Sequence, residues 1–143
     1  IKSKEYFNIV IEKYPETDFA LDAKYKLLLI DNVLASKEVY IGKYYITKKK
    51  WIPAINRFKN VVENFGETEY VEEALHRLVE VYYKIGLEEE AKSAASLLGY
   101  NYNSSEWYQE SYKLLNKDYK IPKKDIPKKD KGLIKRTIKK ILG

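Results

Sequence analysis

The chain has 143 residues, 45% of them hydrophobic, with 27 Lys and Arg against 21 Asp and Glu. That length fits one domain or a run of short helical repeats, and the hydrophobic share is enough for a packed interior. The absence of cysteine excludes disulfides, thiolate nucleophiles and thiolate metal sites, and the single histidine, His76, excludes a multi-histidine metal cluster.

No run approaches the roughly 18 consecutive apolar residues of a membrane-spanning helix. The net charge of +6 is an average over two unlike parts. Residues 117–143 hold 11 Lys and Arg against 3 Asp, whereas the first 116 residues hold 16 against 18. A nearly neutral body is joined to a strongly basic tail.

In chain order, helices are expected over about 1–14, 18–48, 51–65, 69–85, 88–99 and 104–117. The first and third are related. FxxVIEKYPETDFxxDA, from Phe7 to Ala23, repeats 51 positions later as FxxVVENFGETEYxxEA, from Phe58 to Ala74. Phe7, Val10, Glu12, Glu16, Thr17 and Ala23 meet Phe58, Val61, Glu63, Glu67, Thr68 and Ala74. A repeated helix–turn–helix unit implies a stacked array whose units bury their apolar faces on one another. Thr17 and Thr68 precede acidic residues, as at helix starts. The chain opens inside a helical pattern at Ile1, which reads as a segment whose upstream part is absent from this sequence.

With Ala54 at the small-residue position of a tetratricopeptide (TPR) second helix, the rest of that motif falls into register. Gly42 and Tyr45 take the small and aromatic positions of the preceding helix, and Phe58 and Val61 the packing positions of the next. Pro53 lies where a missing N–H is harmless. A second register starts from Ala91, with Leu75 and Tyr82 before it, Gly86 at the turn, and Ala95 and Leu98 after it. The first block supplies only a second helix, through Ser3, Phe7, Val10 and Pro15. The small positions are 51 and then 37 residues apart, against about 34 in a strict TPR. The excess predicts one unusually long helix over 18–48, which only Gly42 weakens.

The expected organisation is an all-α solenoid of TPR-like antiparallel helix pairs. About three repeats, the first partial, cover 1–103, and a capping helix covers 104–119. A Pro/Lys linker covers 120–131, with IPKKDIPKKDK from Ile121 to Lys131, and a basic amphipathic tail covers 132–143. On a helix the tail would gather Leu133, Ile134, Ile138, Ile141 and Leu142 on one face and Lys135, Arg136, Lys139 and Lys140 on the other.

The stretch from KEYFNIVIEKYPETDFALDA through YYITKKKWIPAINRFKNVVENFGETEYVEEAL to YYKIGLEEEAKSAASLLG resembles the C-terminal half of BamD (ComL-type) lipoproteins. The resemblance covers about Lys2 to Asn103. Its most specific pieces are Tyr44-Tyr45 before a basic turn, Trp51 after it, and Asn56-Arg57 one turn later. It implies a non-enzymatic scaffold of the outer-membrane β-barrel assembly (BAM) machinery, on the periplasmic face of the bacterial outer membrane. It further implies an N-terminal lipidated cysteine and N-terminal repeats that recognise unfolded outer-membrane proteins, neither of which is in this sequence. The C-terminal repeats would dock the membrane-proximal POTRA domain of a BamA-like barrel protein, with other lipoproteins of the machinery as further partners. The Asn-Arg pair of the family lies at that docking surface, so Arg57, Asn56, Tyr44 and Trp51 are the partner-binding residues the resemblance implies. The sequence departs from the family at Gly66, where Pro is usual, and in its long basic tail.

Each of these residues also has a plainer reading. Arg57 could be solvated or paired within the fold, and Trp51 could be a packing residue at its turn. Tyr44 and Tyr45 are adjacent and point to different faces, with Tyr45 in the core register and Tyr44 exposed. His76 reads as a surface or semi-buried helix residue. The acidic run Glu88-Glu89-Glu90 opens a helix, where the dipole favours negative charge. There is no Gly-rich phosphate loop, nucleophile elbow or metal spacing, so no enzyme, metal or cofactor is expected. The tail residues Lys135, Arg136, Lys139 and Lys140 suit a solvated extension, an anionic membrane surface or an acidic partner. Nucleic acid is not expected, because the repeats carry no basic face interleaved with aromatics. The alternative function is a TPR adaptor of the cell envelope, of the Tol-Pal or peptidoglycan-coordination type, holding peptides or enzymes in its groove.

Overall fold

Thr17 opens the longest helix. Its backbone is extended (φ −105°, ψ 156°) and its Oγ1 accepts from the Ala20 N–H at 3.3 Å, which caps one of the free donors at a helix start. In the computed structural model, which describes residues 2–116, six helices follow in order. They are α1 Lys2–Lys13, α2 Asp18–Thr47, α3 Trp51–Asn64, α4 Val71–Lys84, α5 Glu88–Asn101 and α6 Glu106–Leu115. The described residues contain no strand, so the fold is all-α, as expected. The linker over 120–131, the tail over 132–143 and the end of the capping segment lie outside the described residues.

Short turns fold each helix back on the one before. Helix α1 packs on α2, α2 on α3, α3 on α4, and α4 on α5, while α6 lies on both α4 and α5. Helix α2 also touches α4. The even-numbered helices thus form one layer and the odd-numbered helices the other. The 30 residues of α2 span about 45 Å, and this length explains the irregular repeat. Its first half pairs with α1, through Lys4 with Asp31 and Lys26 over the Phe7 ring. Its second half pairs with α3, through Arg57 with Glu38.

The core lies where the small residues were placed. Ala54, Phe58, Val61, Val79, Ala91 and Leu98 are fully buried, and Tyr45 packs half-buried beside them. Gly42 allows the α2–α3 approach: a Cβ there would lie 2.6 Å from the Phe58 ring. Gly86 ends α4 with a left-handed φ of +84°. Its N–H donates to the Tyr83 carbonyl and the Leu87 N–H to the Tyr82 carbonyl, a Schellman closure that satisfies the last carbonyls of the helix. Ser105 caps α6, accepting from the Trp107 N–H at 3.1 Å.

The two related turns differ. Both threonines donate Oγ1–H to the carbonyl three residues back, Thr17 to Tyr14 and Thr68 to Phe65, at 2.7 Å each. Only Thr17 caps a helix. After Thr68 the Glu69 N–H is taken by Asn32 Oδ1 of α2 at 3.3 Å, and α4 starts two residues later than the pattern predicts. The Val71 N–H, which stands where the Ala20 N–H does in the first turn, bonds the Thr68 carbonyl at 3.4 Å rather than the hydroxyl.

Candidate partner-binding surface

The end of α2 and the start of α3 carry the four expected partner-binding residues. A basic turn, Lys48 to Lys50, joins the two helices. Lys49 has a left-handed φ of +56°, and the closure matches that at Gly86: its N–H donates to the Ile46 carbonyl and the Lys50 N–H to the Tyr45 carbonyl. Tyr44 faces outward and is 53% exposed, with Lys48 Nζ 5.5 Å from its ring centroid. Tyr45 faces inward. The two rings lie 6.0 Å apart.

Trp51 is half-buried against the core, with Lys84 Nζ 5.2 Å from its ring centroid. A lysine over an indole face is a cation–π pair, so much of Trp51 serves the fold. Asn56 is exposed on α3. Arg57 is both paired and accessible. Its Nη1 donates to Glu38 Oε1 and Oε2, both at 3.2 Å, while its side chain stays 40% exposed and that of Glu38 only 16%. The hydrogen bond and charge of Glu38 raise the Arg57 pKa. Glu38 engages only Nη1, and the sunken carboxylate holds the planar fork at the surface. A fork held this way can meet a second carboxylate with less rotamer entropy to lose.

Inside the even-numbered layer lies a polar chain that the sequence did not suggest. Lys43 of α2 bonds Glu73 of α4 at 3.0 Å, and Arg77 reaches Glu73 at 3.4 Å and Glu80 at 2.6 Å. Glu80 Oε1 lies 3.5 Å from His76 Nε2, and His76 Nδ1 meets Ser111 Oγ of α6 at 2.9 Å. Trp107 closes the chain, 5.1 Å from the His76 ring and 5.5 Å from the Arg77 guanidinium. Partial burial pushes the Glu80 pKa up, but hydrogen bonds from His76 and Arg77 and the charge of Arg77 outweigh it and bring it down to about 2. His76 is therefore not a surface or semi-buried residue: it is 6% exposed, because the capping helix lies over it. Only the fold reveals this, since Ser111 is 35 residues away in sequence. Arg57 and His76 thus share a lesson: each has a partner on another helix, which one sequence cannot show.

Among the described residues no three His, Asp or Glu side chains gather where a metal could sit, and no helix is long and apolar enough to cross a membrane. Lys135, Arg136, Lys139 and Lys140 lie outside the described residues.

Comparison with known proteins supplies relatives. The chain is 47% identical over 113 residues to the outer membrane protein assembly factor BamD of Rickettsia prowazekii, covering 79% of this chain and 45% of that protein. It is 45% identical over 107 residues to the protein of the same name from Caulobacter vibrioides, covering 75% and 35%. A more distant BamD, from Vibrio cholerae, is 26% identical over 95 residues. The chain spans less than half the length of these relatives. Residues 1–97 match the model of the YfiO family, described as outer membrane lipoprotein, and with that match, the helical fold and relatives named BamD at this identity, the chain belongs to the YfiO, or BamD-like, family.

Proposed function

We propose that this chain is the C-terminal part of an outer-membrane protein assembly factor and acts by binding, as a rigid non-enzymatic scaffold at the periplasmic face of the outer membrane. Its docking surface is the outer end of the α2–α3 pair, where Arg57, Asn56 and Tyr44 are accessible and Trp51 braces the turn. The partner is the membrane-proximal POTRA domain of a BamA-like barrel protein. Upstream repeats would receive unfolded outer-membrane proteins, an upstream lipid anchor would hold the molecule at the membrane, and other lipoproteins of the machinery would complete the assembly. The observation that carries this reading is Arg57, a cation oriented by a half-sunken carboxylate yet 40% exposed, on a family member whose relatives are named assembly factors.

The test is a calorimetric titration of this chain against the POTRA region of the BamA-like protein from its own organism. The parent chain should bind, and Arg57→Glu should abolish binding while the helical circular dichroism is unchanged. Glu at this position would face Glu38 and also repel the carboxylate that Arg57 is proposed to meet, so loss should exceed that of Arg57→Ala. Unchanged affinity would remove Arg57 from the surface. No binding by the parent chain would remove the POTRA domain as its partner.

A further inference from the structure

The backbones of helices α3 and α5 stay apart, and the space between them is a cleft of about 480 Å³ floored by α4. This is within the usual size of a ligand cleft, about 300–1,000 Å³. Leu75, Leu78 and Tyr82 form its floor, and Val62 and Leu97 stand on its two walls. Its rim is acidic: Glu63 on one side and Glu89 and Glu90 on the other, with Lys59 the one lining cation. Glu89 is engaged by Lys92 at 2.9 Å. Glu63 and Glu90 have no cationic partner among the described residues. An apolar floor between unpaired carboxylates is the complement of a basic amphipathic segment.

Such a segment exists in this chain. Residues 132–143, GLIKRTIKKILG, combine five large aliphatic residues with four cations and no acid. At helical spacing Ile134, Ile138, Ile141 and Leu142 share a face, flanked by Lys135, Arg136, Lys139 and Lys140. The connection is long enough. Leu114 and Leu115, at the end of α6, pack on the core cluster that contains Leu78, Tyr82 and Ala94, all lining residues of the cleft. The chain thus leaves α6 against the same helices that build the cleft. Residues 117–131 can span at most about 50 Å when extended, more than the width of a domain this size.

We propose that residues 132–143 dock in the α3–α5 cleft of their own chain, with the aliphatic face between Val62 and Leu97 above the buried floor and the cations against Glu63 and Glu90. The tail then occupies a cleft that does not include Arg57, and covers Leu97, which is 43% exposed. Salt weakens the contact, because the rim carboxylates Glu63 and Glu90 are exposed.

The absence of native cysteine makes the test direct. Gly143→Cys in the full chain takes a nitroxide label, and paramagnetic broadening of amide signals reports what the tail approaches. Loss of intensity at Glu63, Ser93 and Leu97, with none at Tyr6 of α1, is expected. Glu63→Lys with Glu90→Lys should restore the intensity, as should Ile138→Asp in the tail. Glu63→Gln with Glu90→Gln, a milder change that keeps the shape, should restore part of it. No broadening at the cleft, or broadening indifferent to these changes, would overturn the proposal. So would broadening only between mixed labelled and unlabelled copies, which would assign the cleft to a second copy. Immobilisation of the label only on adding phosphatidylglycerol vesicles would assign the tail to a membrane surface instead.

Discussion

At the residue scale, the approach of α3 to α2 is set by Gly42, whose missing side chain leaves room for the Phe58 ring of α3. Gly42, Ala54, Phe58 and Val61 could be placed because TPR packing demands a small residue opposite a large one at fixed helical spacing, and all four are buried. Arg57 stood out through its neighbours in sequence, but Glu38, 19 residues upstream on another helix, left no local signal. The same holds for His76 and Ser111. The Gly42 contact gives a sharp prediction. Gly42→Ala gains up to about 1 kcal/mol of helix propensity, but its methyl must enter space held by the Phe58 ring at 2.6 Å. Phe58 is fully enclosed, so the ring cannot swing clear, and overpacking of this kind costs about 1–3 kcal/mol. Urea denaturation should show a net loss of about 1–2 kcal/mol. A stabilised Gly42→Ala would mean that the α2–α3 interface yields more readily than its burial implies.

At the element scale, all six helices were readable from spacing and caps, and their boundaries fell within a few residues. Helix α4 begins only at Val71, after a turn in which the Glu69 N–H bonds Asn32 of α2, and α5 runs on to Asn101. The first half of α2 and α1 leave Tyr6, Phe19, Tyr25, Leu29 and Val33 exposed. That is the open face of a stacked array, which a further layer would cover, and none of the described residues does so. Two turns with the same closure invite a comparison. The α4–α5 turn uses Gly86 at φ +84°, where a side chain is disfavoured, and the α2–α3 turn uses Lys49 at φ +56°. A non-glycine residue there carries about 1 kcal/mol of strain. Lys49→Gly relieves it but loosens the unfolded chain, leaving a net gain of about 0.5 kcal/mol, read as a small rise in melting temperature. A loss on Lys49→Gly would show that the lysine side chain contributes more to the turn than its backbone costs.

At the scale of the molecule, the two layers have different chemistry. The odd-numbered helices meet the core mainly through apolar and small residues. The even-numbered helices are also threaded by Lys43, Glu73, Arg77, Glu80, His76 and Ser111, which link α2 to α4 and α4 to the capping helix. A central link of that chain can be titrated. Glu80 has its pKa lowered from 4.5 to about 2 in the fold, so its charged form is favoured by folding. A depressed carboxylate pKa adds stability that is present above the unfolded value and is lost as pH falls through the folded one. Glu80 is 37% exposed at its side chain, and solvent screening reduces its worth to about 1 kcal/mol. Glu80→Gln should therefore lower stability by about 1 kcal/mol at neutral pH, and the gap should close between pH 4.5 and about 2. Denaturation of both proteins at stepwise pH gives the difference directly, since contributions from the other carboxylates cancel between them. A gap that stays constant across that window would mean that Glu80 acts by packing against Arg77 and His76 rather than by charge.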